Sequence, residues 1–148
     1  MSEITRILTN LTMAYGLMSK DQFVADYQLN ASKKIVYTYL STASGLQEWF
    51  ADKVRIDEDK NYIFNFDQED HYAKQNIIKA NLHVRWDFFD PKSSASQKES
   101  YIEFKLDEAE LTQSLFLKII DQSNFYSLDE LDGIWDGLIA KLKGTIGG

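Results

Sequence analysis

ASKKIVYTYLSTASGLQEWFADKV, residues 31–54, is the stretch on which the reading of this chain turns. Its first half carries Ile35, Val36, Tyr39 and Leu40 at helical spacing behind a capping Asn30 or Ser32, and Ser41 to Gly45 interrupts that helix. The second half predicts another short helix, Leu46–Phe50. There Leu46, Trp49 and Phe50 crowd together ahead of an acid and a base, Asp52 and Lys53. Two large aromatics beside a charged pair fit the mouth of a catalytic or ligand site, or a short helix that pins its aromatics into a core. The surrounding sequence has to choose between them.

Upstream, Phe23, Ala25, Tyr27 and Leu29 alternate with Val24, Asp26 and Gln28, the period of a half-buried strand. Downstream the chain reads as successive strands: 54–57, 62–66, about 72–79, 82–89, 100–106 and 111–120. Short polar turns join most of them, so antiparallel hairpins are the natural connection. Leu82, Val84, Trp86 and Phe88 fall on one face and His83, Arg85 and Asp87 on the other. Ile102, Phe104 and Leu106 likewise oppose Tyr101, Glu103 and Lys105. The segment 90–100 holds the one proline and a Ser/Lys cluster, which predicts a mobile hairpin loop. At the end, Ser127 and Glu130 form an S-x-x-E capping box ahead of a stripe of Leu128, Leu131, Ile134, Trp135, Leu138, Ile139 and Leu142. A helix so long and one-sided needs a broad apolar surface, and the inward faces of the strands supply it.

The chain has 148 residues, which suits a single domain with one sizeable core. A net charge of −7 argues against nucleic acid or an anionic membrane surface as the main partner, since both call for clustered Lys and Arg. There is no cysteine, so disulfides, thiolate catalysis and thiolate metal sites are excluded together. No hydrophobic run is long enough to span a bilayer, which predicts no membrane insertion. Ile4, Ile7, Leu8 and Leu11 at helical spacing make residues 1–19 an extension with an expected short helix capped by Ser2, ahead of a domain at 20–148. Thr and Asn break the apolar run of that extension, so it reads as untargeted and the protein as cytoplasmic.

Few residues suggest chemistry. The stretch 57–61, DEDKN, begins like a calcium loop, but Tyr62 stands where the sharp turn needs glycine and Gln68 where a bidentate carboxylate is needed. The stretch 67–71, DQEDH, sets carboxylates beside a histidine, yet adjacent residues do not converge on one ion. Neither reads as a metal site. No nucleophile elbow or phosphate-binding glycine run occurs, and no cofactor is expected. What remains is apolar: Phe64, Phe66, Trp86, Phe88, Phe104 and Trp135 should face inward, to line a small-molecule cavity or simply to fill the core.

The order of strand, two short helices, six antiparallel strands and long C-terminal helix resembles the START-like (SRPBCC) superfamily. Residues 31–54 are similar to a segment of the branch containing the activators of the Hsp-ninety chaperone ATPase and bacterial polyketide-cyclase-like proteins, with Leu46 and Trp49 as its leucine-x-x-tryptophan step. LHVRWDF at 82–88 resembles that family's central strand, and GIWDGLIAKLKGTI at 133–146 its closing helix. Paired glycines that many relatives carry are missing at 57–62, and the 90–100 loop is longer than usual.

The resemblance implies an α+β helix-grip fold, a curved antiparallel sheet of about seven strands wrapped on the C-terminal helix. It also implies a cavity between sheet and helix for a lipid, polyketide or other hydrophobic ligand. The expectation is a non-catalytic module binding a small hydrophobic ligand through Trp49, Phe50, Phe64, Phe66, Trp86, Phe88, Phe104, Trp135 and Leu138. A chaperone-activator-like interaction domain, with a protein partner or a homodimer, is the alternative. A cyclase-like enzyme is the third reading, and it would need His83, Arg85 or Asp87 to point inward.

Overall fold

A computed structural model describes residues 22–93 and 99–148. The helix expected in residues 1–19, and the centre of the 90–100 loop, lie outside the described residues. Seven strands form one antiparallel sheet: β1 (Phe23–Leu29), β2 (Lys53–Ile56), β3 (Tyr62–Phe66), β4 (Glu69–Lys79), β5 (His83–Phe89), β6 (Tyr101–Glu108) and β7 (Leu115–Asp121). Their order is β1-β7-β6-β5-β4-β3-β2, so β2 to β7 form a meander of hairpins and β1 returns to pair with β7, Phe23 opposite Asp121. Between β1 and β2 lie α1 (Lys33–Ser41) and α2 (Ala43–Gln47), and α3 (Leu128–Ile146) closes the chain. This is the expected α+β helix-grip architecture.

Turn chemistry sets several strand limits. Asp67 and Gln68 both adopt left-handed backbone, which closes a two-residue hairpin with Phe66 opposite Glu69 and starts β4 three residues earlier than expected. Asp57 Oδ1 accepts the backbone N–H groups of Asp59 and Asn61, at 3.0 and 2.9 Å. Those donors, led by the Asn61 amide, hold its carboxyl below the usual carboxylate range, so this stretch is a self-capped turn. β7 starts at Leu115 instead of Leu111, because Gln113 turns back on Ala109.

Two helix expectations change. α1 buries Val36, Tyr37 and Leu40 and leaves Ile35 about half exposed, so its inner stripe lies one residue further along than the apolar count suggested. The second helix is Ala43–Gln47, and Trp49 and Phe50 sit in the turn after it. Thr42 causes the shift: its hydroxyl accepts the Gly45 N–H at 3.0 Å and caps a new helix at once.

The last carbonyls of α1 would be orphaned by this break, and side chains from across the core satisfy them. The Thr42 hydroxyl donates to Thr38 O, the Trp49 indole to Tyr39 O at 2.8 Å, the Trp86 indole to Leu40 O at 3.3 Å and the Gln75 amide to Ser41 O at 2.6 Å. The two tryptophans therefore do more than fill volume. They dock the end of α1 onto the sheet.

The core lies between the sheet and the three helices, with Phe64, Val84, Trp86, Phe104, Leu117 and Ile119 pointing in from the strands. α3 buries Leu131, Trp135, Ile139 and Leu142 against them. Glu130 Oε1 accepts the Ser127 N–H and hydroxyl, at 3.1 and 2.8 Å, which fixes the start of α3. Tyr27 of β1 donates to Asp136 at 2.9 Å and ties the helix to the sheet edge. Among the described residues, no helix is long and apolar enough to cross a membrane.

Candidate functional site

The apolar stripe of α3 is wider than the row it buries. Ile134 and Leu138, on its flank, stay half-buried. Facing that flank are Trp49, Phe50 and Ala51 in the turn after α2, Phe66 at the end of β3, and Phe125 and Tyr126 in the β7–α3 loop. These surfaces enclose a solvent-connected cavity of about 230 Å³. Its polar atoms come from Asp52, Asp67, Asp121, Tyr126 and Lys141.

The aromatic wall is interlocked. Phe50 stacks on Trp135 with centroids 6.0 Å apart and meets Phe66 edge-on at 6.1 Å, while Trp49 lies against Trp135 at 6.4 Å. Phe66 stacks in turn on His71 at 4.0 Å, and Phe125 closes on the same imidazole at 4.7 Å. Burial holds the His71 pKa below its ordinary value, against the pull of the Glu69, Asp67 and Asp70 carboxylates and the Phe66 carbonyl. His71 Nε2 is buried with no hydrogen-bond partner. Tyr126 donates to Asp67 across the rim, and burial together with that carboxylate pushes its phenol up to about 12.

Asp121 is the most unusual member. It continues the inward parity of Leu115, Leu117 and Ile119 on β7 and is only 3% exposed. Its Oδ1 accepts the Ser123 N–H and hydroxyl, at 2.9 and 2.6 Å, and its Oδ2 accepts the Trp135 indole N–H at 2.8 Å. The carboxylate thereby fixes both the loop and the ring that floors the cavity.

Of the nine residues proposed as a ligand surface, Trp49, Phe50, Phe66, Trp135 and Leu138 line this cavity. Phe64, Trp86 and Phe104 are fully buried behind them and fill the core. Phe88 belongs to a neighbouring hollow of about 300 Å³, shared with His71, Tyr72 and Phe89. The sequence pattern did not mark Asp121, Phe125, Tyr126 or Lys141, and it noticed Asp52, Asp67 and Ile134 without placing them in a ligand surface. For Asp121 a signal existed, since the period-two row of β7 runs one step past Ile119 onto an acid. Loop residues such as Phe125 and Tyr126 carry no such periodicity.

His83, Arg85 and Asp87 sit on the outer face of the sheet, opposite in parity to Val84 and Trp86. His83 Nε2 lies 2.6 Å from Glu103, and Arg85 bonds Asp87 at 2.7 Å, pairs with Glu99 and covers the Tyr101 ring at 3.7 Å. None of the three lines the cavity. Among the described residues no group of His, Cys, Asp and Glu is arranged to hold a metal ion.

The chain belongs to the START-like superfamily: the family model of the START-like superfamily domain matches residues 17–148. BfR322 from Bacteroides fragilis, a solution structure, is 35% identical over 86% of this chain and 92% of its own length, with a TM-score of 0.55. The Aha1 dimer from Colwellia psychrerythraea is 19% identical over 85% of this chain and 96% of its own, with a TM-score of 0.67. CalU16 from Micromonospora echinospora is 12% identical over 82% and 71%, with a TM-score of 0.59. The last two likenesses are of fold. No curated protein matches the chain significantly.

Proposed function

We propose that this domain is a non-catalytic binding module that takes a small, largely apolar ligand in the cavity beside α3. The observation that carries the reading is the cavity of about 230 Å³, walled by Trp49, Phe50, Phe66 and Trp135 and polar only at its floor and rim. Its size sits just below the ~300–1,000 Å³ of ordinary ligand pockets and above the ~150 Å³ hole that binds benzene in an engineered protein. One ring or a short chain with a polar head fits such a space, and a long-chain lipid would have to protrude. Burial of the ligand's apolar surface drives binding at about 25 cal/mol per Å², less the costs of association. The three residues a cyclase-like reading calls for, His83, Arg85 and Asp87, are not among those lining the cavity.

The test is native mass spectrometry of gently purified protein, followed by a thermal-shift screen of one-ring and short-chain compounds. Adducts that are lost in a Leu138→Trp variant, which fills the cavity, would support the reading. A bare mass together with a flat screen would refute it.

A second reading is favoured by the sheet edges. Among the described residues β1 and β2 each present one unpaired edge, and Val24 and Ile56 on them are about half exposed. A likeness to a protein described as a dimer makes self-association through an edge worth measuring by analytical ultracentrifugation. A concentration-independent monomer would remove it.

A further inference from the structure

The charge of the cavity is lopsided. Three carboxylates, Asp52, Asp67 and Asp121, line it against one lysine, Lys141. Asp52, Asp67 and Lys141 are exposed at the rim, where water screens them. Asp121 is the exception. It is all but fully buried, and every hydrogen bond recorded to it comes from a neutral donor: the Ser123 amide and hydroxyl and the Trp135 indole. Among the described residues no basic side chain forms an ion pair with it. A buried carboxylate held by dipoles alone still attracts a counter-charge, and Asp121 borders the aromatic cavity on one side and a hollow of about 270 Å³ by the start of α3 on another. The walls fit the same reading: Trp49, Phe50, Phe66, Phe125 and Trp135 line the cavity, and wherever such a ring turns its face to a ligand it favours a cation.

Building on the ligand-binding reading, we propose that the occupant is an organic ammonium compound. Its apolar body lies among the rings, and its cationic nitrogen points toward Asp121. Carboxylate-bearing ligands of equal size are excluded by the same charge. Lys141 stands at the mouth and does not neutralise the floor.

The experiment compares three probes that share a phenyl-and-two-carbon body and differ in the head group: 2-phenylethylammonium, 2-phenylethanol and 3-phenylpropanoate. Affinities are measured by calorimetry on the wild type and on Asp121→Asn, which keeps an acceptor for the Trp135 N–H. The expected order is ammonium tightest by at least about tenfold, then alcohol, with carboxylate not detectably bound. In Asp121→Asn the ammonium should lose about tenfold while the alcohol is unchanged. Equal binding of ammonium and alcohol, or a preference for carboxylate, would overturn the inference and leave the ligand-binding reading standing. Binding of none of the three would count against both. Asp52→Asn and Asp67→Asn, at the exposed rim, should change ammonium affinity by less than about threefold and only at low salt. If they match the loss at Asp121, the buried carboxylate is not the recognition group.

Discussion

Single atoms hold this fold together at its least regular point. The break after α1 leaves the carbonyls of Tyr39 and Leu40 to the indoles of Trp49 and Trp86. Trp86→Phe removes the N–H that reaches Leu40 O and leaves a void where the second ring lay, and should cost at least about 1–3 kcal/mol in urea denaturation. An unchanged midpoint would mean that the carbonyl has found another donor. His71 makes the opposite case. Its ring is held between Phe66 and Phe125, yet its Nε2 is buried and unpartnered. Because burial depresses its folded pKa, the unfolded chain takes up a proton first as pH falls below about 6.5. The stability His71 contributes as a neutral ring is thus complete above that value and is lost as pH falls toward its folded pKa. His71→Phe keeps the stack and removes the titration. It should match or exceed the wild-type urea midpoint at about pH 7.5 and widen its advantage by about pH 5.5, and a constant gap across that range would refute the assignment.

At the scale of elements, the joint between α1 and α2 depends on a glycine. A Cβ on Gly45 would lie 2.5 Å from Thr38 O and 2.7 Å from Tyr39 Cα, backbone atoms that cannot step aside. Gly45→Ala should therefore destabilise by about 1–3 kcal/mol, as overpacking does, and should perturb Trp49, which hangs from the same joint. Gly137 on α3 is the control: a methyl there meets nothing within 4 Å, and Gly137→Ala should stabilise by about 0.5–1 kcal/mol through helix propensity. The same joint shows where sequence pattern fails. Period-two strands such as β5 and β6 were legible because alternation is a long-range property of many residues. The start of α2 was misplaced because a local contact, the Thr42 hydroxyl accepting the Gly45 N–H, caps a new helix three residues ahead of the apolar cluster Leu46, Trp49 and Phe50. The candidate site was half legible for a related reason. Phe66, Trp135 and Leu138 belong to periodic elements, whereas Phe125, Tyr126 and Asp67 reach it from turns, and only folding brings those turns together.

For the whole molecule, the topology joins what the sequence keeps far apart. β1 pairs with β7 across nearly the whole described chain, and α3 lies on a surface built from strands of both halves. Trp49, Trp86 and Trp135 come from a turn, a central strand and the last helix, yet all three are at most 1% exposed in one continuous core. A core shared in this way leaves no subset of elements able to bury its own apolar surface, so unfolding should be all-or-none. Tryptophan fluorescence reports the core, far-UV circular dichroism reports the sheet and helices, and their urea transitions should coincide in midpoint and slope. A fluorescence change that precedes loss of circular dichroism would mean that α3 and the turn after α2 detach from the sheet as a unit. The cavity between them would then be a lid that opens ahead of global unfolding, and ligand entry would be governed by that local opening.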